Sequence, residues 1–536
     1  MKAKIVRIIE LSYLQLVIVF LILVLLRELE VLDFPIYYQY FVLVLPLFAL
    51  PHLLRRNKAD ETKLPGVLII VLFIFFFALL LRLIPLINSP VPLGYDPGFY
   101  KYTMDVYTGA LPQIPEASLA IWIKEMYPQG LPVLTDLTNV VAGADAVDNI
   151  KYLFPFLGAL LVFPVFMVTQ NIFGQRAGII AALLYAVSYT QFEVFTYFYL
   201  KNVLGILFLL LAIYALDKNK YALMTLMFAA LGIFHRPEFL LFALILVPCF
   251  LINRRREIIW AVFGTIILII PFWVTRWEIN WGVLSGALET AVTNIQSGGG
   301  LGGGTFFDLD TYTKVAIAYL PFALIGGIYL AIKRNWNSVF FFLVISAIIV
   351  IAQLFFFNRF VIPLDIAVVI LAAVGIDYTL LNRERVWKTV GIGAGIILLV
   401  ATVIPTINSV TDAEPLITGD QLQAVEWISE NTEENAYVLA TTNDAPWVIG
   451  WSERRVIAPG LFEWDLYEKE EWDVFFNTDD PEVAKQFLDR YDNPVYIYYS
   501  INESNYLGLE KFQGKYFRIV YNNGAIIYQY REGGFR

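Results

Sequence analysis

Long apolar runs alternate with short polar connections over the first three quarters of the chain. Runs long enough to cross a hydrocarbon core, which takes roughly 17 to 25 residues each, recur from Leu11 to Pro405. The first three expected spans cover residues 11–27, 38–54 and 65–86. At this spacing we predict a polytopic α-helical membrane protein with about thirteen transmembrane helices.

The pattern changes after Pro405. The helix-like stretch DQLQAVEWISENT is followed by short alternating runs such as VYIYYS and AIIYQY, which are typical of half-buried strands. We therefore predict a transmembrane domain over residues 1–407 and an α/β or α+β domain over residues 408–536. The second domain is expected to fold on its own.

Composition agrees with a lipid environment. Of the 536 residues, 58% are hydrophobic and only 16% are charged, which is too apolar for a soluble chain of this length. The single cysteine, Cys249, lies in an apolar run, so no intramolecular disulfide is possible.

The basic residues predict an orientation. Of the 38 Lys and Arg residues, 18 lie in the N-terminal stretch and in alternate short connections. The positive-inside rule then gives a multi-pass plasma-membrane protein with a cytoplasmic N-terminus and an extracytoplasmic C-terminal domain. That domain carries 23 acidic and 10 basic residues, so we expect no nucleic-acid partner.

The first long outer connection, residues 88–151, carries the most informative motif. It begins LGYDPGFYKYTMDVYTG and includes PEASLAIWIKEMY, which resembles an interfacial helix. Asp96 precedes Pro97 directly, which is typical of a helix N-cap. The alternative is that this acid serves chemistry at the membrane surface, with Asp105 nearby.

Further ionisable residues lie near the predicted outer ends of spans, where such groups default to functional hypotheses. Glu193 and Lys201 flank an aromatic stretch, and they either serve a site or pair with each other. His235, Arg236 and Glu238 share a short turn, in which His235 either caps a helix or contacts substrate. Arg359, in FFFNRF, suits a lipid phosphate because a guanidinium fork binds phosphate oxygens in pairs.

A third outer segment, residues 275–312, contains six glycines within Gly298–Gly304. Such permissive backbone suits a mobile lid, although a plain connector has the same composition. Asp308 and Asp310 have the spacing of a DxD motif, which is weak support for a metal site.

Several motifs resemble the GT-C superfamily of integral-membrane glycosyltransferases, which use polyprenyl-phosphate sugars. They are the loop with Asp96, the YPQG element at 127–130, VFPVFMVTQNIFGQRAGIIAALLYAVS, FHRPEFLL and NRFVIPLDIAVVILAAVGIDY. The segment AVEWISENTEENAYVLATTNDAPWVIGWSERRVIAP is similar to the outer domains of archaeal members related to protein mannosyltransferases and oligosaccharyltransferases. The WWDYG motif is absent and only EWD occurs, at 463–465 and 471–473, which argues against transfer to a protein sequon.

The resemblance implies a transferase that moves a sugar from a polyprenyl- or dolichyl-phosphate carrier to a glycan, lipid or protein acceptor at the outer membrane face. Asp96 is our candidate general base, and Asp96 or Glu193 is a candidate ligand for a divalent cation. The candidates for the donor phosphate are Arg359, Lys201, Arg236 and Lys101. The candidates for substrate contacts are Tyr95, Tyr102, Asp105, Tyr127, Glu193, His235 and Glu238. A secondary transporter and a noncatalytic scaffold or sensor are the alternatives.

Overall fold

The structure is a computed structural model. It describes residues 2–31, 42, 44–49, 66–87, 89, 91–108, 130–274, 277–297, 304–381, 385–459, 461, 466–500 and 509–534. The chain divides into two compact units. The first comprises Met1–Ile84, Pro155–Phe195 and Tyr199–Asp412, and the second comprises Pro85–Phe154, Thr196–Phe198 and Ala413–Arg536.

Helices dominate the chain up to Asp412. In chain order they are α1 (Lys2–Glu28), α2 (Val67–Ile87), α3 (Pro97–Tyr102), α4 (Gly130–Ala142), α5 (Ala146–Asp148), α6 (Phe154–Leu160), α7 (Val162–Phe173), α8 (Gln175–Ala186), α9 (Tyr189–Thr196), α10 (Leu200–Asp217), α11 (Tyr221–Phe234), α12 (Arg236–Asn253), α13 (Arg256–Val274), α14 (Trp277–Ser297), α15 (Leu309–Val315), α16 (Leu320–Ile332), α17 (Ser338–Ile351), α18 (Val361–Ile376) and α19 (Arg385–Asp412). Short π-helical turns cover Thr103–Tyr107, Asn149–Leu153 and Asp377–Leu381.

Within the described residues, seven helical stretches are long and apolar enough to cross a membrane, and nine if each of two bent pairs forms one span. The bent pairs are α8 with α9, at 44°, and α15 with α16, at 99°. The chain is therefore a multi-pass membrane protein. The expected number of thirteen spans is not confirmed, and most of the second expected span, 38–54, lies outside the described residues.

Helix α18 forms the centre of the first unit, because all 16 of its residues are buried. It meets α16 where both helices carry glycine. A Cβ atom on Gly326 would lie 2.2 Å from the carbonyl oxygen of Leu371, and one on Gly375 would lie 2.1 Å from that of Phe322. Small residues let membrane helices pack closely by bringing their backbones together, and this contact fixes α18 against α16.

The C-terminal part of the second unit contains a five-stranded sheet. Its elements are α20 (Gly419–Asn431), β1 (Tyr437–Leu439), α21 (Ala445–Ser452), β2 (Arg455–Ile457), α22 (Lys469–Asn477), α23 (Pro481–Leu488), β3 (Val495–Ser500), a 3₁₀ turn (Leu509–Phe512), β4 (Phe517–Asn523) and β5 (Ala525–Tyr530). The strand order is β2-β1-β3-β5-β4. β1 pairs in parallel with β2 and β3, whereas β5 pairs antiparallel with β3 and β4.

An aromatic core stabilises one face of this sheet. It includes Trp472, Phe475, Phe512 and Tyr528, and all of its members lie between Tyr437 and Tyr530. The runs VYIYYS and AIIYQY are β3 and β5, as the alternating pattern predicts.

Candidate functional site

Arg359 lies in the turn before α18, in the first unit. Its guanidinium carbon is 5.2 Å from the ring centroid of Tyr199, a typical cation–π distance. Its Nη2 is 3.5 Å from Thr305 Oγ1. Its Nε is buried and has no hydrogen-bond partner among the described residues. A guanidinium donor held in this way has capacity left for an anionic ligand.

The end of the glycine-rich segment packs on this arginine. A Cβ atom on Gly304, which has φ of +78°, would lie 3.2 Å from Arg359 Cγ. The Tyr199 hydroxyl donates to the carbonyl oxygen of Thr305, and Phe307 stacks on Tyr189 with ring centroids 5.7 Å apart. Residues 304–307 therefore cover Arg359. Residues 298–303, the rest of the expected lid, lie outside the described part of the chain.

His235, at the N-cap position of α12, is subject to the electrostatic field of several cations. Burial lowers the pKa of His235 well below its ordinary value, and the charges of Lys201, Arg359 and Arg236 lower it further. Three of the predicted phosphate-binding residues thus act on one histidine. His235 Nδ1 contacts the carboxylate of Glu238, which is also buried, so these two side chains are coupled to each other.

Glu193 lies on α9 and is buried. Its Oε1 accepts a hydrogen bond from the hydroxyl of Ser409 on α19. Lys201, at the start of α10, is also buried. Burying the Lys201 amine and the Glu193 carboxylate away from water costs folding free energy. Residues retained at such a cost are candidates for a functional role.

Asp96 lies in the second unit and precedes α3, with Pro97 at the first helical position. Its backbone carbonyl accepts from Tyr100 N at 3.1 Å, but its side chain makes no capping hydrogen bond. The expected N-cap is therefore confirmed for the backbone, and the carboxylate is not used as a cap. Beside it, the Tyr95 hydroxyl donates to the carbonyl oxygen of Thr442. Burial, followed by the charges of Asp96 and Asp444, raises the pKa of Tyr95.

Lys101 is held by acidic and aromatic groups of the second unit. Its Nζ lies 2.8 Å from Asp105 and 3.8 Å from Glu453, and 5.7 Å from the ring centroid of Trp451. This environment already balances its charge, so Lys101 is a weaker phosphate candidate than Arg359. Tyr102 is buried against Tyr107, and Tyr127 lies outside the described residues.

In the part of the chain that the structure describes, no three His, Cys, Asp or Glu side chains form a cluster that fits a metal ion. The DxD-spaced pair has other roles. Asp308 caps α15 by accepting from Thr311 N at 2.7 Å, and Asp310 pairs with Lys314.

Three residues outside the predicted set become prominent in the structure. Tyr199 contacts Arg359, whereas Arg82 on α2 and Asp365 on α18 are charged and almost inaccessible to solvent. A lone charge within an apolar run, as in LLLRLIPL and VIPLDIAVV, is the signal that could have revealed the last two.

Solved structures resemble this fold at low sequence identity. The oligosaccharyltransferase AglB from Archaeoglobus fulgidus, in complex with an inhibitory peptide and a dolichol-phosphate, is 12% identical, with a TM-score of 0.57 over 88% of this chain and 75% of its own. ArnT from Cupriavidus metallidurans bound to undecaprenyl phosphate is 12% identical, with a TM-score of 0.53 over 86% of this chain and 97% of its own.

The arabinofuranosyltransferase AftD from Mycobacteria is 13% identical, with a TM-score of 0.59 over 90% of this chain and 41% of its own. No family model and no curated protein sequence matches the chain. The structural similarities confirm the fold that the motifs predict.

Proposed function

We propose that this chain, a multi-pass membrane protein with the GT-C fold, is a glycosyltransferase that uses a sugar carried on a polyprenyl phosphate. The acceptor would be a glycan, lipid or protein at the extracytoplasmic membrane face. The observation that carries the proposal is Arg359, a half-buried arginine whose buried Nε has no hydrogen-bond partner among the described residues. It is covered by residues 304–307, and its charge lowers the pKa of His235 together with those of Lys201 and Arg236.

These cations suit the negative charge that develops on a leaving lipid phosphate. Charge-assisted hydrogen bonds are roughly twice as strong as neutral ones, and donors fixed before the reaction stabilise the transition state most. Two of the similar solved structures hold a dolichol-phosphate or an undecaprenyl phosphate, which supports a carrier of this class.

In the proposed reaction, an acceptor hydroxyl attacks the anomeric carbon of the donor sugar. The bond from that carbon to the phosphate oxygen breaks, and its electron pair leaves with the carrier phosphate. Asp96, whose carboxylate does not cap α3, is proposed to take the hydroxyl proton as general base. A single displacement inverts the anomeric centre.

The phosphate role is tested by measuring carrier affinity of the full chain in nanodiscs, with dolichyl and undecaprenyl monophosphate as probes. Arg359→Ala should weaken binding about ten- to a hundredfold, because a hydrogen bond to a charged group contributes roughly 1.5–3 kcal/mol. Arg255→Ala is the matched control. Arg255 donates to Asn219 and the Tyr221 hydroxyl, which lie at the opposite ends of α10 and α11 from Lys201 and His235, and its removal should leave carrier affinity unchanged.

The enzymatic class is tested by incubating the same preparation with a panel of polyprenyl-phosphate hexoses and pentoses and following release of the free carrier. We expect the wild-type protein to release free carrier from at least one donor, and the Arg359→Ala variant to release it more slowly. Equal carrier affinity in wild type and Arg359→Ala would end the phosphate assignment, and no release from any donor of the panel would end the enzymatic one.

A further inference from the structure

Asp365 is fully buried on α18, one turn from the N-terminal end of that helix. Its Oδ1 accepts hydrogen bonds from the hydroxyls of Tyr312, at 3.2 Å, and Tyr319, at 2.6 Å. Its Oδ2 accepts from Ser188 Oγ, at 2.8 Å, and from Gln191 Nε2, at 3.0 Å. A carboxylate has about four acceptor sites, so these four donors saturate it.

The four donors come from the two bent helix pairs found among the described residues. Ser188 and Gln191 lie at the 44° bend between α8 and α9, whereas Tyr312 and Tyr319 lie on either side of the 99° bend between α15 and α16. Broken helices within a membrane persist only where other groups satisfy their freed polar atoms. Each bend donates two side-chain hydrogen bonds to Asp365, so one carboxylate joins the two bends.

A second buried charge supports the same bend of α8 and α9. Arg82 donates to the carbonyl oxygen of Gln191 at 3.5 Å, and its guanidinium carbon lies 5.6 Å from the ring centroid of Tyr185. Gln191 thus connects the two charges, since its backbone accepts from Arg82 and its side chain donates to Asp365. A buried carboxylate with this many partners is costly to disrupt and is well suited to hold one geometry.

Both bends adjoin residues that pack near Arg359. Tyr189 on α9 stacks on Phe307, and α15 follows directly after residues 304–307, which cover the arginine. We propose that Asp365 is a positioning residue of the phosphate site, which holds residues 304–307 and α9 against Arg359 by fixing both helix breaks. This inference rests on the proposed function for its ligand.

Asp365→Asn keeps the side-chain size but replaces one acceptor oxygen by a donor, so at least one pair of hydrogen bonds is lost. We expect at least a tenfold loss of affinity for dolichyl monophosphate, and at least tenfold faster amide hydrogen exchange in residues 304–312, in the full chain in nanodiscs. The KM for the lipid donor should rise more than kcat falls, since Asp365 does not touch the reacting atoms.

Asp377→Asn is the matched control. Asp377 is another buried carboxylate, at the far end of the same helical run, and it pairs with Arg176 at 3.0 Å. It should leave carrier affinity and the exchange of residues 304–312 within twofold of wild type. If Asp365→Asn does not fold, the Tyr312→Phe and Tyr319→Phe variants keep the carboxylate and remove only the donors at the 99° bend, and they should show the same two effects.

Wild-type carrier affinity and wild-type exchange in Asp365→Asn would overturn the inference, as would equal losses in both Asn variants, which would indicate general destabilisation. The exchange measurement separates this inference from the proposed function. If the wild-type chain binds no carrier phosphate, the proposed function fails. Faster exchange of residues 304–312 in Asp365→Asn would then still support the positioning role of Asp365, and unchanged exchange would exclude it.

Discussion

Asp96 and Asp145 occupy the same kind of position in one long connection but differ in what their carboxylates do. Asp145 accepts from Asp148 N at 2.7 Å and completes a capping box, whereas the side chain of Asp96 makes no such bond. The carboxylate of Asp96 therefore does not serve as the cap of α3. This difference gives the proposed general base a control within the same chain.

We predict that Asp96→Asn lowers sugar transfer by about 10²- to 10⁴-fold, the usual contribution of a general base. Affinity for the carrier should remain, since the phosphate contacts are assigned to Arg359. Asp145→Asn should transfer at the wild-type rate, because asparagine also caps well. Single-turnover transfer measures the effect, and wild-type transfer by Asp96→Asn would remove this residue from the mechanism.

Lys511 is a buried charge in the aromatic core of the C-terminal part. Its Nζ donates to the carbonyl oxygens of Phe476 and Thr478, each at 3.2 Å, and it lies 5.0 Å from the ring centroid of Phe475. Burial lowers the pKa of Lys511 to about 8 from its ordinary value of 10.5. The charged form is therefore disfavoured in the folded state.

The unfolded chain then binds more protons than the folded chain between pH 8 and 10.5, so the contribution of Lys511 to stability should increase as the pH rises through this window. Lys511→Arg should lose this increase, because arginine stays charged throughout. The urea concentration at which residues 413–534 become protease-sensitive, compared between the two chains, isolates Lys511 from other titrating groups. Parallel pH profiles would contradict the assignment.

At the scale of elements, α3 and α21 meet through glycine. A Cβ atom on Gly98 would lie 1.7 Å from the carbonyl oxygen of Pro446, and one on Gly450 would lie 2.4 Å from Gly98 Cα. No other residue type fits there without separating the helices. Because α3 begins directly after Asp96, this contact also positions the proposed base.

Gly98→Ala and Gly450→Ala should each destabilise the second unit by about 1–3 kcal/mol, the usual cost of overpacking. Transfer should fall further than carrier affinity, since the displacement reaches Asp96 first. The control is Gly286→Ala on α14, where a Cβ atom meets nothing within 4 Å. Thermal melts measure the stability of the three variants, and transfer rates measure their activity. Wild-type transfer by Gly98→Ala would show that the contact does not position Asp96.

At the scale of the whole molecule, the orientation predicted from basic residues can be tested with one reagent. The native cysteine, Cys249, is only 4% exposed and is replaced by alanine. A membrane-impermeant maleimide should label Glu430→Cys on α20 in intact cells. It should not label Lys220→Cys, which lies in a connection predicted to be cytoplasmic, until the membrane is permeabilised. The reverse labelling pattern would invert the proposed topology and move the acceptor to the cytoplasmic face.

The sequence by itself determined the membrane class, the change of character after Pro405, strands β3 and β5, and most of the charged candidates. These features follow from local hydrophobicity and periodicity, because long apolar runs are stable as helices in lipid and alternating runs are stable as strands of a half-buried sheet. Arg359 and His235 were recognisable because a charge beside an apolar run is costly and therefore informative.

Only the tertiary structure decided which of these charges act together. Besides its neighbour Asp105, Lys101 pairs with Glu453, which is 352 residues away in the chain. The carboxylate of Asp365 is shared by two helix breaks that precede it by 46 to 177 residues. Local patterns carry no information about such partners, because the burial and hydrogen bonding of a charge depend on which segments pack around it. The sequence thus determines the chemical type of each side chain, whereas packing determines its burial and its hydrogen-bond partners.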